Sequence, residues 1–206
     1  MKQIFSKLFL IHYSLFVLLT ACTPSPDNLQ PVNALPAIYP DYTGITIPVN
    51  IAPMEFAMQS DDYDHVSVIF KAKDGTEYEA TGGNAVDIDA DEWQALLQKS
   101  QGDSLMVTVR AHRNRQGEGS VDVWEAFKAF PMYVAPDSID YSIIYRLIAP
   151  GYQTYSKMGV YQRELSTMEQ IASFENTQVT NACVNCHTTC KGDPNTQSLH
   201  IRGKHG

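Results

Sequence analysis

The chain has 206 residues, with 15 basic against 23 acidic side chains and a formal net charge of −8. That acidic balance excludes an electrostatic grip on nucleic acid or on an anionic membrane surface. The hydrophobic share of 44% is ordinary for a globular chain and suffices for a core in one or two domains.

The N-terminus reads as an export leader. Lys2 and Lys7 give a positive start, and Leu8 to Leu19 is an apolar run too short to span a bilayer comfortably. Leu19-Thr20-Ala21-Cys22 then resembles the bacterial lipobox. The resemblance implies a signal peptide over 1–21, cleaved before Cys22, with acylation of the Cys22 sulfur and new amino group. The membrane partner is then reached through a lipid anchor. An uncleaved anchor helix and an ordinary signal peptide are the plainer alternatives. Thr23, in place of Asp, favours the outer membrane over the inner one by the same resemblance. The expected location is the cell envelope, facing the periplasm.

Residues 22–39 carry Pro24, Pro26, Pro31 and Pro36 without periodicity, which reads as a flexible tether. From about Tyr42 the pattern has period two. Thr46 to Asn50 is a short strand interrupted by Pro48, hence an edge strand. Val66, Val68 and Phe70 alternate with Ser67, Ile69 and Lys71, Asp74-Gly75 signals a hairpin turn, and Thr76 to Thr81 returns. Asp89, three before Glu92, suggests a capping box. Trp93, Leu96 and Leu97 share one helical face, and Gly102 ends the helix. Trp93 is suited to packing that helix on a sheet rather than to serving as a ligand platform.

Leu105, Val107 and Val109 begin another alternating strand, followed by a polar loop over His112 to Gly119. Val121 to Phe130 reads as one strand, with Trp124, Phe127 and Phe130 as core residues. Tyr141 to Ile148 reads as the last clear strand, closed by Pro150-Gly151. Regular short strands with turn residues between them predict a mainly β unit over 40–151. The expected fold is an antiparallel β-sandwich of immunoglobulin or fibronectin III character with one short helix. After Gly151 the pattern weakens. Ser166 to Phe174 reads as a short helix, within an irregular or helical segment over 152–206.

That segment holds Cys183-Val184-Asn185-Cys186-His187. Two thiols three apart, followed by an imidazole, form the attachment pattern of c-type haem (heme c). Cys183 and Cys186, one helical turn apart, can each form a thioether to one porphyrin, and His187 can bind the iron. Covalent haem is attached outside the cytoplasm, where the leader sends this chain. For the sixth iron position the candidates are His200, preferred for its apolar neighbours and for Arg202 beside it, then His205, Met158 and Met168. Cys190 opens a rival reading, in which Cys183, Cys186, Cys190 and His187 or His200 hold zinc as a Cys₃His staple. A redox dithiol is a third possibility, weakened by the lack of a thioredoxin-like pattern. The 19 residues after His187, Thr188 to Gly206, are too few to wrap a porphyrin.

Tyr39 to Tyr42, Ile47 to Pro53, Tyr145 to Tyr152, Asn181 to His187 and His200 to Gly203 together resemble a family of Bacteroidetes exported lipoproteins, described as cytochrome c related or TolB-like. The resemblance implies continuation past Gly206 into a TolB-like β-propeller. It also implies that Cys190 and His200 belong to the family pattern. The expectation is a lipid-anchored electron carrier with an unidentified redox or envelope partner. The alternative is a non-enzymatic binding or structural lipoprotein of the cell envelope, with the cysteine cluster as a Cys₃His zinc or disulfide staple. No acid–base set suited to a haem enzyme is recognisable.

Overall fold

A computed structural model describes residues 29–113, 123–148, 150, 158–178 and 183–203. The leader, Cys22 and His205 lie outside the described residues. The chain is mainly β, with a single α-helix among the described residues. No described helix is long and apolar enough to cross a membrane.

The central pair of strands is β5 (Tyr63–Ala72) and β8 (Ser104–Arg113), antiparallel along nearly their whole length. Val66, Val68 and Phe70 of β5 and Leu105, Val107 and Val109 of β8 are all buried, as the alternation requires. Ser67 is also buried, on the opposite face, where its hydroxyl donates to Glu79. β6 (Glu77–Gly82) returns along β5 after the Asp74-Gly75 turn. Gly75 takes φ of +92° there, and Asp74 accepts from the Thr76 amide. β7 (Val86–Asp87) extends that edge.

Helix α1 (Ala90–Lys99) begins at Asp89, whose carboxylate accepts from the amides of Asp91 and Glu92. The expected reciprocal bond from Glu92 is not the one formed: the Asp89 amide donates to the Tyr78 hydroxyl. Trp93 is fully buried, edge-on to Phe70 at 5.3 Å, and its indole donates to the Ile51 carbonyl. It packs the helix onto the sheet.

Several expectations need correction. His112 and Arg113 belong to β8 and do not open a loop, because cross-strand pairing with β5 carries the strand to Arg113. Val121 to Phe130 is not one strand. β9 (Trp124–Ala126) and β10 (Phe130–Val134) both pair with β8, and one extra residue between them breaks the ladder. The tether reading fails from Leu29 onward. β1 (Leu29–Pro31) pairs parallel with β9, and β2 (Ile38–Tyr39) pairs with β4 (Ala57–Met58), burying Ile38. All of β1 is exposed, so no periodic burial announced it. β3 (Thr46–Ile47) does sit at an edge, on β10, and stops before Pro48.

β11 (Ser142–Leu147) does not close the first sheet. It starts a second one, pairing with β12 (Gly159–Glu164), which pairs with β13 (Gln170–Glu175). The expected helix over Ser166 to Phe174 is therefore a turn followed by β13; no helical face competes with the pairing to β12. β14 (Cys183–Cys190) and β15 (Asp193–Arg202) form a hairpin beside it. The Ala52 amide donates to the Leu165 carbonyl, and Asn50 bonds the Ile139 backbone in both directions, tying the second sheet to the first.

At the far end of β5, the Arg113 guanidinium grips Glu125 through two nitrogens and also bonds the Tyr63 hydroxyl. Burial, with the Glu125 carboxylate next, pushes the Tyr63 phenol up to about 12 from 10.0. A raised phenol pKa stabilises the fold below pH 10, and that contribution is lost as pH rises toward 12. Urea unfolding followed by tryptophan fluorescence should therefore show stability falling across this window. In Tyr63→Phe the fall should be smaller.

Candidate functional site

The motif is on a strand and not on a helical turn. β14 pairs Val184 with Ile201 and His187 with Leu199, so Asn185 and Cys186 together face His200. This β-bulge places the extra residue inside the motif. Cys190 closes β14 at a two-residue turn, Lys191-Gly192, both at positive φ (53° and 81°), as a type I′ hairpin requires.

Val184 is fully buried and fixes the start of β14. Its amide donates to the side-chain oxygen of buried Asn176, whose own amide donates to the Met158 carbonyl. Val160 and Met158 lie buried in the same region. Arg146 of β11 reaches over this end of the hairpin. One guanidinium nitrogen donates to the Asn185 side chain at 2.9 Å. The other lies 3.7 Å from the Cys183 sulfur and 4.0 Å from the Met158 sulfur.

Cys183 is half-buried; Cys186, Cys190 and His200 are exposed; all three thiols are unpaired. His187 turns the other way. It is half-buried, its Nε2 lies 3.3 Å from the Ile144 carbonyl, and it lines a cleft of about 330 Å³ with Ser142, Ile144, Thr189 and Pro194. The buried Ser142 hydroxyl has no hydrogen-bond partner among the described residues. A cleft of this size is at the small end for an organic ligand and cannot enclose a tetrapyrrole.

The three motif residues do not fit one haem in this arrangement. The His187 imidazole is half-buried and turned to the Ile144 carbonyl, while Cys186 is exposed to solvent. The helical turn assumed from the spacing would have put them on one side. Nor do the thiols converge for zinc. An extended strand spreads Cys183, Cys186 and Cys190, and neither His187 nor His200 gathers with them into a cluster of donors among the described residues. Of the other iron candidates, Met158 is buried beside Arg146, and Met168 is exposed in the turn before β13.

A different group does converge. Asp64, His65 and His112 bring one ligand atom each within 4.8 Å of the others. Asp64 is the residue that a register shift inserts between the pairs Tyr63–Arg113 and His65–His112. Burial raises the Asp64 pKa, but hydrogen bonds from His112 and His65 outweigh it and hold the carboxyl below its ordinary value. Sequence reasoning missed this group because its members lie on separate strands. Adjacent Asp64-His65 was the only local signal.

No family model and no curated protein matches this chain. The reading of the site rests on its residues.

Asn176→Ala should strip the Val184 amide of its buried acceptor, at a cost of about 1–3 kcal/mol. Hydrogen exchange should show the loss of protection centred on β14, with the β5–β8 pair unaffected. Alkylation of the reduced chain should modify Cys186 and Cys190 before Cys183, in the order of their exposure.

Proposed function

We propose that this chain is an exported, lipid-anchored envelope protein that carries a covalent c-type haem at Cys183, Cys186 and His187 and passes electrons to an envelope partner. The observation that carries this reading is the pairing of the motif with a leader ending in Cys22. Cys183 and Cys186 form no disulfide, which leaves both thiols available for it. His200 across from Cys186 remains the preferred sixth ligand, and Arg202 the preferred partner of a propionate. Bound haem supplies a one-electron couple. Because His187 Nε2 lies against the Ile144 carbonyl, the haem-bound chain must release that contact. The cleft beside His187 is too small to cover the ring, so the cover comes from elsewhere. The resemblance points to a following propeller.

For the first unit we infer a sandwich-type packing. It rests on the β2–β4 ribbon and α1, which contribute Ile38, Met58, Trp93 and Leu97 to the same core as β5 and β8.

The test is expression with cytochrome c maturation machinery. The expected product has a Soret band, haem staining under denaturing conditions and the mass of one added haem. Cys183→Ser with Cys186→Ser should abolish all three. A periplasmic product with the mass of the bare polypeptide overturns the haem reading. Stoichiometric zinc without iron, lost in Cys183→Ser with Cys186→Ser, would instead favour the structural staple built on Cys183, Cys186 and Cys190.

A further inference from the structure

We propose that Asp64, His65 and His112 form a binding site for a divalent transition-metal ion of the zinc class, separate from the cysteine segment. The backbone builds this site. His65 and His112 are directly paired across β5 and β8, so their side chains share a face of the sheet. Asp64 would face away from them in a regular strand. The bulge at Asp64 turns its carboxylate onto the same side, a known use of an inserted residue. A bulge interrupts the ladder at some cost, and here it brings together three ligating groups.

The donor atoms have the right chemistry and nearly the right spacing. The Nδ1 atoms of both imidazoles approach a single oxygen, Asp64 Oδ1. The His65 contact is 3.1 Å and the His112 contact is shorter. Tetrahedral ligands at 2.0–2.2 Å from a zinc ion stand about 3.3–3.5 Å apart. A few tenths of an ångström of opening on the His65 side, and somewhat more at His112, admits an ion. Two imidazole nitrogens and one carboxylate oxygen suit zinc, copper or nickel. They do not suit calcium or magnesium, which take oxygen ligands.

One side is rigid and the other open. His112 is 14% exposed, its ring packed 5.5 Å from that of buried Trp124. The Asp64 and His65 side chains are 34% and 41% exposed, so this side of the cluster faces solvent although the His65 Nδ1 atom itself is buried. The neighbouring cation does not compete: Arg113 is engaged by Glu125, Asp62 and the Tyr63 hydroxyl.

The test uses the full chain with all four cysteines changed to Ser, so that neither haem nor a thiolate site contributes. Chelator-stripped protein is titrated near neutral pH with zinc chloride by calorimetry, and with cobalt(II) by absorption and tryptophan fluorescence. The expected result is one ion per chain, a cobalt spectrum without thiolate charge transfer, and quenching of Trp124. His65→Ala should weaken binding by more than about tenfold. Asp64→Asn should do the same. Absence of one-to-one uptake, or affinity unchanged in His65→Ala with native circular dichroism, overturns the proposal. Because the protein lacks the haem cysteines, that outcome leaves the haem reading untouched.

Discussion

The β5–β8 pair is the constraint on which the rest depends. Its inward residues, Val66, Val68, Phe70, Leu105, Val107 and Val109, are sealed from water. Each such side chain contributes about 1.5–3 kcal/mol by burial. Once this pair is in register, β6 has one free edge of β5, and β9 and β10 share the free edge of β8. Trp93 can then close over Phe70 only if α1 starts at Asp89, where the cap holds it. A one-residue slip would turn all six side chains to the other face, so register is strongly specified.

Against that regular pair, the chemistry collects where pairing is irregular. The register shift at Asp64 puts a carboxylate beside two imidazoles. The shift at Asn185–Cys186 falls within the cysteine motif. A strand that keeps strict alternation can present only every second residue to one site. An inserted residue relaxes that rule locally and lets sequence neighbours act together. At β5 the result is convergence. At β14 the pairing as it stands leaves Cys186 exposed and holds His187 against Ile144.

Much of the first sheet was legible because half-burial leaves a period of two. The strand at Leu105, the Asp74-Gly75 turn and the helix face of Trp93, Leu96 and Leu97 all follow from local pattern. The second sheet was harder to read. β13 is largely exposed or half-buried and carries no alternation, so Ser166 to Phe174 could be read as a helix. β1 is held by backbone bonds to β9 with every side chain exposed, which leaves no trace in composition. The cysteine motif is legible as a string, but its spacing alone does not say whether a helical turn or a strand carries it.

The sequence by itself determined the mainly β character, the helix between Asp89 and Gly102, the hairpin at Gly75 and the presence of three thiols close to His187. Each of these depends on residues near one another in the chain. Only the tertiary structure decided that β11 opens a second sheet, that His187 faces Ile144 while Cys186 faces solvent, and that Asp64 and His65 meet His112. Those outcomes depend on which strands pair and in which register, and pairing is settled by burial across the whole core and not by any one segment.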